Sequence, residues 1–319
     1  MSPPTAVCVT GMHRSGTSVT SRILNMLGTF LGAEGELIPA HPKNNPTGYW
    51  EHVALTDISD QLLGAFGGSW HTPPDLPSGW EASPSVAPLR RQARSLLRNT
   101  FAEERLWGWK DPRAALTIAF WQRLVPGARY VICVRNPLDV AASLARRNEL
   151  SAHHCHELWF RHIAGAILNT RGRPRLFVCF EDYFDSGDLQ IRRLARFVGA
   201  DRRLARPTVE QALDGFLDSQ LRHHQASLID ALDDPGLPLR VKSLYLALVA
   251  ATRPHADKTK LAAGLLGEPL DALTHDLATE ARRARLWETV ARTGHDAGAH
   301  TERLPVPDDV LRLPTVDTT

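Results

Sequence analysis

The segment AVCVTGMHRSGTSVTSRILNMLG, from Ala6 to Gly28, constrains the fold more than any other part of the chain. Residues 5–10, TAVCVT, form a short run between Pro4 and Gly11 that is apolar apart from its terminal threonines, the pattern of a buried parallel strand. Beyond Gly16 the period becomes helical, with Val19, Ile23, Leu24 and Leu27 on one face and Gly28 or Gly32 as terminator. A buried strand that turns through glycines into a helix aims backbone N–H groups and the helix dipole at one point, which predicts an anion site at the head of a sheet.

Gly11 and Gly16 have the spacing of the nucleotide-kinase loop G-x-x-x-x-G-K-[S/T], but Thr17 and Ser18 follow directly and the lysine is missing. Arg14 stands inside the loop instead. The groups Arg14, Ser15, Gly16, Thr17 and Ser18 are the candidate anion ligands, through hydroxyls, backbone donors and one guanidinium. A nucleoside triphosphatase also wants an acidic residue at a second strand end to hold Mg²⁺. The best second strand, RYVICVR at 129–135, ends in Arg135, so the site reads as one for an anion without a metal.

Further strands are expected at 105–110 and 175–181, with helices near 50–66, 114–124, 137–147 and 151–170. Strands alternating with helices give right-handed βαβ units, hence an α/β fold of three layers around a central parallel sheet. Residues 64–88, rich in Gly, Pro, Ser and Trp, read as one long lid or binding loop. The chain from Asp188 onward reads as helical and ends in a loose tail. The expected division is a core at 1–222 and a helical extension at 223–319.

Arg135 closes its strand where ligands of open α/β sheets bind. Asn136 and Pro137 then start a helix on which Ser143 and Arg147 share a face, within reach of the anion that Arg135 meets. Arg146 reads as a solvated surface charge.

These two motifs resemble those of the sulfotransferases that use 3′-phosphoadenosine 5′-phosphosulfate (PAPS), the bacterial branch in particular, with some likeness to the tyrosylprotein and carbohydrate branches. HRSGTS is similar to the family's 5′-phosphosulfate loop, and VRNPLDVAASLARR to its 3′-phosphate segment, with Arg135 and Ser143 eight residues apart. The resemblance covers residues 6–62 and 105–185. It implies a P-loop-like fold and transfer of a sulfuryl group from PAPS to a hydroxyl or amine, leaving adenosine 3′,5′-bisphosphate, with no metal. It further implies that Lys110, in WGWKDPR, meets the transferring group, and that Glu51, in NPTGYWEH, is the catalytic base, with His52 and Asp57 as rivals. Trp50, His52, Trp70 and Arg113 are the expected acceptor contacts. Phe180 stands where the family often has tyrosine.

The formal net charge of +2 over 319 residues argues against nucleic acid as a partner. The expected partners are a small-molecule, carbohydrate or lipid acceptor and, through the C-terminal helices, a second copy of the chain. Cys8, Cys133 and Cys179 lie in strand patterns and read as core thiols of a reducing compartment. The cluster His153, His154 and His156 lacks a second ligand group and reads as surface or substrate-facing. With no membrane-spanning run and no signal-peptide pattern, the expected location is cytoplasmic. The alternatives are an ATP- and Mg²⁺-dependent P-loop kinase and a non-catalytic nucleotide-binding protein of the same fold.

Overall fold

The computed structural model describes residues 4–41, 45, 48–214, 216–217, 225–252 and 268–296. The chain divides into two compact units, Met1–Ala278 and Thr279–Thr319. In the second, the described backbone, 279–296, is helical. The expected boundary at residue 222 and the expected tail after 296 lie outside the described residues.

Four strands form the sheet: β1 (Thr5–Gly11), β2 (Leu106–Lys110), β3 (Arg129–Val134) and β4 (Arg175–Cys179). All pairs are parallel, in the order β2-β1-β3-β4. The chain leaves β1 for β2 on one side and then returns past β1 to β3 on the other. This change of direction opens a crevice at the carboxyl ends of the strands. Register fixes what meets there: Val9 pairs with Lys110 and Gly11 with Cys133, so Lys110, the glycine loop and Arg135 share one edge.

Helix α1 (Thr17–Met26) buries Val19, Ile23 and Leu24 against Val7, Val9, Val131 and Val178. Each such side chain removed from water contributes about 1.5–3 kcal/mol. The opposite face of β2 carries Trp107 and Trp109, two residues apart and therefore on one side of the pleat. Trp107 stacks on Phe101 with centroids 4.6 Å apart, and Trp109 lies 5.8 Å from Trp121.

Helix α2 (Val53–Gly64) starts three residues after the expected Trp50, because Trp50 is left-handed (φ 60) and His52 is extended. The 64–88 segment is not one open loop. It holds 3₁₀ turns at Trp80–Ala82 and Pro84–Val86, and α3 (Ala87–Phe101) begins before it ends. α3 lies where the sequence reading placed no helix, although Leu89, Ala93, Leu97 and Phe101 recur at helical spacing; of its residues Ala93 and Phe101 are buried.

The expected helices follow as α4 (Ala114–Leu124), α5 (Pro137–Asn148) and α6 (Ala152–Asn169). Pro137 opens α5, and the Asn136 side chain accepts from the Leu138 N–H as its cap. Trp159 and Phe160 of α6 are core residues, and the four cysteines are buried and free. His156 is also buried, where a surface or substrate-facing position was expected. No helix of the described residues is long and apolar enough to cross a membrane.

Candidate active site

The cleft at the strand ends starts with the glycine loop. Gly11 (φ 140) and Gly16 (φ 85) hold backbone angles that L side chains rarely adopt. A Cβ on Gly11 would strike the Cys133 carbonyl, and one on Gly16 would strike the Phe180 ring. Arg14, a non-glycine at φ 69, is also left-handed, a form of strain that clusters at binding loops. Gly16 is the N-cap of α1 and, having no side chain, gives the opening N–H groups of the helix no cap hydrogen bond. Ser15 Oγ is buried without a partner. This donor-rich, acceptor-poor cradle suits a phosphate or phosphosulfate anion.

The second motif closes on the first. Arg14 Nε donates to Ser143 Oγ at 2.8 Å, across 129 residues of sequence. Arg135 Nη1 donates to the Arg14 carbonyl at 3.3 Å, pairs with Asp139 at 3.5 Å, and has its guanidinium 4.4 Å from the centre of the Phe180 ring. The Trp159 indole N–H donates to the Arg135 carbonyl at 2.9 Å, fixing the end of β3 from below. Arg147 is exposed, lines the cleft, and lies over Tyr49. Burial, then the charges of Arg147 and Arg135, lowers the Arg14 pKa from its ordinary value, a conflict that a bound anion relieves. Glu181 accepts from the Asn136 backbone N–H at 2.9 Å and so braces the strand end.

On the other side of the loop, Lys110 Nζ donates to Glu51 Oε1 in a buried ion pair and lies 3.4 Å from Ser18 Oγ. Arg113 stands beside this pair, with Nη1 4.0 Å from Glu51 Oε2. Burial pulls the Arg113 pKa down, but the charges of Asp111, Asp60 and Glu51 outweigh it, and the net shift is upward. Asp111 is buried, and desolvation raises its pKa to about 6 against the pull of Arg113.

The cleft is lined by Arg14, Gly16, Thr17, Ser18, Glu51, Trp70, Lys110, Arg113, Arg135 and Arg147. Ser15 and Ser143 lie behind this surface, Ser143 reaching it through Arg14. Two expected acceptor contacts are placed elsewhere. Trp50 lies with the Arg22 guanidinium 4.8 Å from its ring centre, and buried His52 faces Glu36 at 3.7 Å. The left-handed turn at Trp50 sends the aromatic away while leaving Glu51 in the cleft.

His13, to which its sequence context assigns no role, sits inside the loop motif and lines the cleft. Its ring lies 4.3 Å from Trp70 and 6.1 Å from His162. Burial and the nearby Arg113, His162 and Lys110 push its pKa well below the ordinary value. Trp70 reaches it because its segment is tied to α6: the His71 carbonyl lies 2.7 Å from His154 Nε2, and Asp75 pairs with Arg161 at 2.9 Å. That long-range docking left no signal in either local sequence.

No curated protein matches the chain. Among solved structures it is similar to sulfotransferase STF1 from Mycobacterium tuberculosis H37Rv, at 17% identity over 76% of this chain and 77% of that one, with a TM-score of 0.43. It is similar to the sulfotransferase domain of the curacin biosynthetic pathway, at 15% identity over 88% and 98%, with a TM-score of 0.41. A third similar structure is retinol dehydratase in complex with androsterone and the inactive cofactor PAP, at 16% identity over 81% and 84%, with a TM-score of 0.36. The Sulfotransferase family pattern matches residues 4–203, well over half of the 319 residues, and the chain belongs to that family.

Proposed function

We propose that this sulfotransferase takes its sulfuryl group from PAPS and passes it to a hydroxyl or amine of a small-molecule, sugar or lipid acceptor. The observation that carries the reading is the 2.8 Å contact between Arg14 and Ser143, which joins the two anion motifs around one cleft that Lys110 and Glu51 also line. PAPS has two anionic ends, and the cleft offers two cationic stations. Arg14 with the loop donors through Ser18 serves the 5′-phosphosulfate; Arg135, Arg147 and Ser143 serve the 3′-phosphate.

Glu51 takes the proton of the acceptor group as its oxygen or nitrogen attacks sulfur. The sulfur–oxygen bond to the leaving phosphate breaks, and adenosine 3′,5′-bisphosphate departs with the bonding pair. Lys110 places its positive charge at the bridging oxygen, where negative charge develops. Before the ligands enter, the Lys110–Glu51 pair keeps both side chains ordered. Trp70, His13 and Arg113 border the acceptor side. No metal is part of the proposal, because the sulfuryl group carries less charge than a phosphoryl group and Arg14 and Lys110 meet it.

Calorimetry tests the donor. Adenosine 3′,5′-bisphosphate binds tightly in the presence of EDTA, and ATP, which lacks the 3′-phosphate, binds weakly. Mg²⁺-dependent ATP binding with no response to the bisphosphate defeats the reading in favour of a kinase. A mass gain of one sulfo group in an extract of the producing cell identifies the acceptor.

A further inference from the structure

One guanidinium in the cleft is shared by three carboxylates. Arg113 Nε donates to Asp60 Oδ1 at 2.6 Å, while Nη1 lies 3.3 Å from Asp111 Oδ1 and 4.0 Å from Glu51 Oε2. The Arg113 backbone N–H also donates to Asp111 Oδ1, at 2.9 Å. The Asp111 side chain is 1% exposed and that of Arg113 13%, whereas Asp60 sits at the rim at 46%. The two oxygens of Glu51 therefore face two cations at different ranges. Oε1 is hydrogen-bonded to Lys110; Oε2 feels Arg113 through charge alone, beyond hydrogen-bond distance.

We infer that Arg113 is a positioning residue for Glu51, held back by Asp60 and Asp111 at a distance that orients the carboxylate without neutralising it. The inference rests on Glu51 being the base. Lys110 can turn to the leaving oxygen only if Glu51 keeps another partner, since a buried carboxylate left alone carries a large desolvation cost. A guanidinium closed onto Glu51 in a two-pronged pair would supply that partner but would make the carboxylate a poorer base. Asp60 on Nε and Asp111 on Nη1 tether the guanidinium against such closure. The other charged or titratable groups lining the same cleft are Arg14 and His13 of the loop, Tyr49 before α2, Arg135 after β3 and Arg147 of α5. Among the described residues, the ion pairs of Glu51 are with Lys110 and Arg113.

Two substitutions move the same readout in opposite directions. Asp60→Asn releases Arg113 to close on Glu51. The acid limb of the pH–rate profile then moves to lower pH, and kcat falls about tenfold with KM for PAPS unchanged. Arg113→Ala removes the neighbouring charge. The limb moves to higher pH, kcat falls by more, and Arg113→Lys restores part of it. The assay follows PAPS conversion to adenosine 3′,5′-bisphosphate, with an extract of the producing cell as acceptor source and water alone in parallel. Asp60 is exposed, so its variant folds even if Arg113→Ala does not. If the acid limbs of Asp60→Asn and the unaltered enzyme coincide while Glu51→Gln is inactive, the inference fails and the base assignment stands. If Glu51→Gln turns over normally, both fail.

Discussion

Arg14 and Arg113 border the same cleft and are buried to similar degrees, yet their surroundings are opposite. Arg14 stands among Arg135 and Arg147, and burial together with those like charges lowers its pKa. Arg113 stands among Asp111, Asp60 and Glu51, and their charge outweighs burial and raises its pKa. One half of the cleft is short of negative charge; the other holds more carboxylates than its two cations, Lys110 and Arg113, match. On the proposed function, the first receives an anion and the second handles a proton.

The largest effect that can break this comparison is Glu51→Gln. It is expected to slow sulfuryl transfer about 10²–10⁴-fold while leaving adenosine 3′,5′-bisphosphate affinity in place. Comparable losses in both assays, read by single-turnover transfer and calorimetry, would mean that the two halves are not separable.

Next in size is the pH dependence of Asp111. Burial raises the Asp111 pKa to about 6 in the folded protein, whereas the unfolded chain holds it near the ordinary 3.8. Folding therefore takes up a proton between these values, and stability falls as pH rises through that window, by about 3 kcal/mol in all. Asp111→Asn is expected to flatten that slope in urea denaturation at pH 4 to 7. An unchanged slope would place the effect on another group.

Arg135→Ala probes the other half. Losing a charge-assisted contact to the 3′-phosphate costs about 1.5–3 kcal/mol, roughly ten- to a hundredfold in bisphosphate affinity, with ATP affinity unaffected. An equal loss for ATP would move Arg135 away from the 3′-phosphate. Least of all, Trp50→Ala is expected to leave transfer unchanged and lower stability by about 0.5–1 kcal/mol through its contact with Arg22. A raised acceptor KM would return Trp50 to the cleft.

What the sequence disclosed follows the same divide. The strands were readable because each is a compact, mainly apolar run between breakers, and Arg135 because a cation at a buried strand end has few other uses. The link between Arg14 and Ser143 was not, since each residue was read as a separate phosphate ligand and only the register of β1 with β3 brings them together. Trp50 and His52 were placed by their nearness to Glu51, but one left-handed residue sends neighbours along the chain to different surfaces. His13 was passed over because its stacking partner lies more than fifty residues away in sequence.

In the strand order β2-β1-β3-β4, the connection from β1 to β2 opens with the glycine loop and Arg14 of the first half and then carries residues of the second. Glu51, Asp60 and Trp70 all belong to the single excursion that leaves β1 and returns as β2, whereas Arg135, Ser143 and Arg147 follow β3. On the proposed function, a lineage can exchange or lengthen the stretch between α2 and α3 and so acquire a new acceptor while inheriting its donor site intact. Grafting that stretch between family members is then a route to new sulfated products that leaves the nucleotide half of the gene untouched.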